Sequence, residues 1–218
     1  MTSPSLFRLA GCSAYVGAAA TIVVLSSYPL AFGHVISWTS SVTTRDLYRI
    51  VVPISMVPIA VAIDRLHRGD ARTMSLSALA VGITGMLALA SVWTVQAVRP
   101  LSHEVRWPEL QVETAAGLAI GFWFLLVSYL VYWRRRWPTD LAWLAVIAGT
   151  GFIVQMLMTY LYFSSVPPPP PGVSGVRLVA GLASIIAASW WVISYPVWAI
   201  WLGRRLLART ATGYGEMA

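Results

Sequence analysis

Six apolar stretches run along the chain, over about residues 10–32, 47–66, 74–98, 111–133, 141–163 and 177–202. Arginines, prolines or short polar clusters bound each of them. A hydrocarbon layer about 30 Å thick takes about 20 helical residues to cross, so each stretch is long enough to be a membrane span. The fold class this predicts is all-α: a polytopic integral membrane protein built as a bundle of six transmembrane helices.

Punctuation inside and between the spans refines the picture. Pro53 and Pro58 lie inside the second span; each removes a backbone donor and crowds the preceding turn, so this helix is expected to kink. Arg134, Arg135 and Arg136, then Trp137 and Pro138, end the fourth span abruptly and make a helical hairpin with the fifth. Five consecutive prolines at 167–171 form a stiff polyproline spacer of about 15 Å before the sixth span. Gly117 and Gly121, four apart, suit close approach of two helix backbones. Residues 1–203 read as one transmembrane domain, and 204–218 as a short polar, disordered tail. The first span exceeds the core of a cleaved leader and is expected to be retained.

Composition agrees with this and narrows the chemistry. Of 218 residues, 58% are hydrophobic and 11% charged, too few charges to cover a water-facing surface. The net charge of +7 comes from arginines that cap apolar runs and form no basic stripe, so nucleic acid is not an expected partner. All 15 basic residues are Arg, which excludes a lysine Schiff base and a phosphate-loop lysine. Cys12 stands alone, which excludes an internal disulfide and a multi-cysteine metal site. Abundant Ala, Val, Gly and Arg without Lys suggests a bacterium with a GC-rich genome.

Arginine placement predicts orientation, because cytoplasmic segments carry the positive excess. Arg8, Arg65, Arg68, Arg72, Arg134, Arg135, Arg136, Arg204, Arg205 and Arg209 fall on the side of both termini. Arg45, Arg49, Arg99, Arg106 and Arg177 fall on the other. Ten against five places both ends in the cytoplasm. Trp133, Trp137, Trp143, Trp198 and Trp201 are expected to form an inner aromatic belt, with Trp93 and Tyr162 at the outer interface.

Candidate chemistry is sparse. No ionisable group falls in the middle of a span, where ion and proton pathways are usually marked. Arg49 and Glu113, at the outer ends of spans two and four, are a possible polar pair that would polarise an outer cavity. The plainer reading has Arg49 reaching the headgroups and Glu113 near a helix N-terminus. Asp64, His67 and Asp70 form a cluster that could bind a metal or serve acid–base work, but a solvated interfacial turn is the simpler account. His34, His67 and His103 do not share a depth within the bundle, as haem ligands would. His34 and His103 with Glu104 are read as solvated loop residues rather than an outer metal site. No metal or cofactor is therefore expected.

Trp123, Trp190 and Trp191 lie near mid-membrane, away from the interfaces that tryptophan favours. With Gln155, Ser184 or Ser194 as polar anchors they could line an apolar pocket for a lipid, quinone or pigment. The function expected first is a non-enzymatic accessory or scaffold subunit, or a bundle that binds an apolar ligand. A small-solute transporter flexing at its prolines is the alternative. A lipid-modifying enzyme at the membrane interface comes third. Expected partners are membrane lipids and other membrane subunits or a second copy.

Overall fold

The computed structural model describes residues 4–32, 38–98, 107–134, 137–164 and 175–215. Those residues form six helices: α1 (Pro4–Phe32), α2 (Trp38–His67), α3 (Arg72–Val98), α4 (Trp107–Arg134), α5 (Thr139–Ser164) and α6 (Gly175–Gly215). All six contain a stretch long and apolar enough to cross a membrane. The protein is a multi-pass membrane protein. His34, His103, Glu104, Arg99, Arg106 and the proline run at 167–171 lie outside the described residues.

The helices extend beyond the apolar stretches because lipid contact and helix formation obey different rules. Hydropathy marks where hydrocarbon surrounds the chain; backbone hydrogen bonding continues through polar residues wherever packing supports it. So α2 begins at Trp38, within a stretch expected as loop, and runs unbroken through Pro53 and Pro58. At the other end of the chain the expected disordered tail is instead helix. α6 continues through Arg204 and Arg205 to Gly215, and its 41 residues span about 60 Å. Leu206, fully buried beyond the expected boundary, packs in the main core and gives that extension a reason to stay helical.

Each helix packs on its neighbours in sequence, and α6 also packs on α1. The result is a closed, antiparallel ring whose first and last helices touch, with both ends of the described chain at the same end of the bundle. Small residues set the closeness of these contacts. A Cβ added at Gly121 would strike Ile153 and lie 3.0 Å from the Gly149 carbonyl, so the Gly117–Gly121 pair serves the α4–α5 interface. Gly203 opposes Gly11 and Ala14 across the α1–α6 seam, its added Cβ falling 3.1 Å from the Gly11 carbonyl. Such contacts let dispersion replace the hydrophobic drive that is missing between helices in lipid.

The ring is filled at mid-depth by aromatic side chains. Phe124 meets Trp191, Tyr195 and Trp198 edge-on at centroid distances of 5.5, 6.4 and 5.0 Å. Trp123 packs edge-on against Phe124 at 4.8 Å. Met56, Ile59, Met86, Leu89 and Ile120 complete this layer, all essentially inaccessible. The expected inner aromatic belt needs correction on this point. Trp133 and Trp143 do face outward, at 65% and 59% exposure, but Trp137 and Trp198 turn into the core, as does Trp93 on the opposite side. Membrane depth can be read from spacing along a helix; which way a ring faces depends on how the bundle closes.

Candidate functional site: a cavity at one end of the ring

At the end of the bundle away from both chain ends, the interior widens into a cavity of about 300 Å³. All six helices contribute to its wall. From α2 come Arg45, Tyr48 and Arg49, at the i, i+3, i+4 spacing that puts side chains on one helix face. From α5 come Phe152, Gln155, Met156 and Thr159, and from α6 Ala188, Trp191 and Val192. α1 adds Val24 and Leu25, α3 adds Trp93 and α4 adds Glu113. Below it a narrow space of about 10 Å³ continues between Val52, Pro53, Met56, Leu89 and Ile120 before the aromatic layer begins. That is about enough for one water molecule. Beneath it lie the packed rings of Phe124, Trp191, Tyr195 and Trp198.

Its polar groups are arranged in a chain. The Trp93 indole nitrogen donates to Glu113 Oε1 at 2.8 Å, and Gln96 Nε2 donates to Glu113 Oε2 at 3.2 Å. The Arg49 guanidinium carbon lies 5.5 Å from the centre of the Trp93 ring, in cation–π range. Arg49 and Glu113 therefore share a wall through Trp93. Among the described residues no salt bridge within 4.0 Å joins Arg49 to a carboxylate. Arg45, by contrast, is engaged by the neighbouring Asp46 through Nε and Nη2, both at 3.2 Å. Across the cavity the Trp191 indole donates to the Tyr48 hydroxyl at 3.2 Å. Gln155 Oε1 is buried and has no partner among the described residues.

The sequence candidates thus divide. Arg49, Glu113, Gln155 and Trp191, argued as two separate features, meet in one cavity. Trp123 lies deeper, 1% exposed, packed on Trp198 and filling the notch left by Gly82. Trp190 is 52% exposed and faces away from the interior. Ser184 bonds to Thr159 at 3.0 Å, and Ser194 bonds to its own helix at the Trp190 carbonyl. Trp93, Tyr48 and Arg45 were missed as site residues. The signal for Tyr48 and Arg45 was the helical spacing from Arg49; none marked Trp93, whose partner is twenty residues away.

At the opposite end, Asp64 and His67 are not a solvated turn. They are 2% and 0% exposed, whereas Asp70 is exposed. Asp64 Oδ1 accepts from Ser75 Oγ at 2.8 Å, and Oδ2 accepts from Arg68 Nη2 at 2.6 Å. The tight α2–α3 turn brings Ser75 back over Asp64, and these bonds offset the cost of taking the carboxylate out of water. His67 Nδ1 pairs with the Ile63 carbonyl at 2.9 Å, and its ring meets Trp137 edge-on at 6.1 Å. Among the described residues no three His, Cys, Asp or Glu side chains stand close enough to hold a metal ion. No family model, curated protein or solved structure matches the chain.

Proposed function

We propose that the protein is a non-enzymatic binding bundle whose site is this cavity, taking a small molecule with an apolar body. The observation that carries this is the wall itself: apolar and aromatic side chains from five helices, interrupted by a few converging polar groups, with Glu113 from the sixth. Its volume sits at the lower end of the range for ligand sites, about 300–1,000 Å³. The packed rings beneath it favour a binder over the alternative of a transporter, which would need a path through that layer. The tied, buried Asp64 argues against an interfacial enzyme at the other end.

The probe for this reading is octanol carrying an aliphatic diazirine, photoactivated on the purified protein in lipid nanodiscs. Saturable labelling is expected on the segments 152–159 and 188–192, and it should be lost in Ala188→Trp, which fills the cavity. Labelling that does not saturate, or that survives Ala188→Trp in a folded protein, would remove the cavity as the site.

The orientation proposed with it puts both termini in the cytoplasm, ten arginines against five, and the cavity facing outward from the plasma membrane of a bacterium. Reporter fusions at both termini should give cytoplasmic signals; periplasmic signals from both would reverse the orientation. Membrane lipids are the expected neighbours, with Arg204 and Arg205 flanking Trp201 on α6 where anionic headgroups would lie. Other membrane subunits or a second copy are further partners, and nucleic acid is not.

A further inference from the structure

Resting on the binding reading above, we infer that the cavity selects a monoanionic amphiphile, a carboxylate on an apolar body, and that Arg49 reads its charge. The argument compares which polar groups at the wall are already satisfied. Both oxygens of Glu113 accept hydrogen bonds, from Trp93 and Gln96, so this anion is turned toward its own neighbours. Arg45 is held by Asp46. Arg49 is the one cavity cation with no carboxylate within 4.0 Å among the described residues. Among the described residues the face of Trp93 lies beside its charge, 5.5 Å from the ring centre.

A guanidinium carries five N–H donors in a planar fork and no acceptor. Beside the Trp93 indole, 5.5 Å from its centre, the fork keeps donors that a carboxylate can accept two at a time, side by side. The remainder of the wall suits the rest of such a molecule. Val24, Phe152, Met156 and Val192 offer apolar contact to a chain or ring. A dianion such as a phosphate monoester would call for a second open cation, which Arg45 does not supply while Asp46 engages it. A cationic amphiphile would have to sit against Arg49 with no open carboxylate to compensate.

Competition against the diazirine-octanol label separates this inference from the reading beneath it. Octanoate, octanol and octylammonium are compared as competitors in the same nanodiscs at neutral pH. Octanoate is expected to compete about tenfold better than octanol, the factor for a contact worth about 1.4 kcal/mol, and octylammonium worse than either. The ratio of octanoate to octanol is read within each variant, so general changes in the site cancel. It should fall toward one in Arg49→Gln and be partly kept in Arg49→Lys, which retains charge but loses the fork. Equal competition by octanoate and octanol in the native protein overturns the inference and leaves the binding reading standing. So does a preference for octanoate that Arg49→Gln does not change. Absence of saturable labelling overturns both.

Discussion

Asp64 is the residue whose role changes most between sequence and structure. Beside His67 and Asp70 it has the composition of a reactive cluster, yet its two oxygens are committed to Ser75 and Arg68. A carboxylate so placed holds the α2–α3 turn together, and disturbing it should cost stability. Ser75→Ala and Asp64→Ala should each lower resistance to unfolding in SDS by about 1–3 kcal/mol, and the double variant by clearly less than the sum. Simple additivity would mean that the two side chains do not act as a unit. None of this was legible beforehand, because Ser75 is eleven residues from Asp64 and only the path of the turn joins them. Trp190 and Trp191 make the same point: consecutive residues on a helix point about 100° apart, and here Trp191 is buried while Trp190 is 52% exposed. Which of the two turned inward depended on where α6 met its neighbours.

At the scale of single helices the sequence was far more informative. Apolar runs long enough to cross hydrocarbon located all six spans, since lipid leaves the backbone no other way to satisfy its hydrogen bonds. What the runs did not convey was where the helices end. α2 gains a polar turn and more at its start, and α6 gains 204–215, where Leu206 packs into the main core. The Gly117–Gly121 spacing announced a close approach but not its partner. That partner is α5, whose own Gly149 leaves an added Cβ 2.8 Å from the Gly121 carbonyl, so the two backbones meet where both helices lack side chains. The cavity was half-legible for a similar reason. Charged and amide residues at span ends could be named, but bringing α2, α4, α5 and α6 around one space required the ring.

The whole molecule is defined by the seam between α1 and α6. Cβ of Ala14 lies 3.3 Å from the position a Cβ would take at Gly203, near the separation a disulfide requires, about 3.5–4.5 Å. In a Cys12→Ser background, Ala14→Cys with Gly203→Cys should therefore oxidise to a cross-link. The readout is loss of both thiols to a maleimide mass tag, restored by reductant. Val16→Cys with Gly203→Cys is the control, since Val16 is 52% exposed and faces away from the interior. Cross-linking of both pairs alike, or of neither, would deny that the ring closes as described. A circle of this kind has no privileged starting helix. The order in which the ribosome delivers the six spans is one of several that lead to the same arrangement, and a gene permuted to begin at the α2–α3 turn, with the old ends spliced, would encode the same walls around the same chamber.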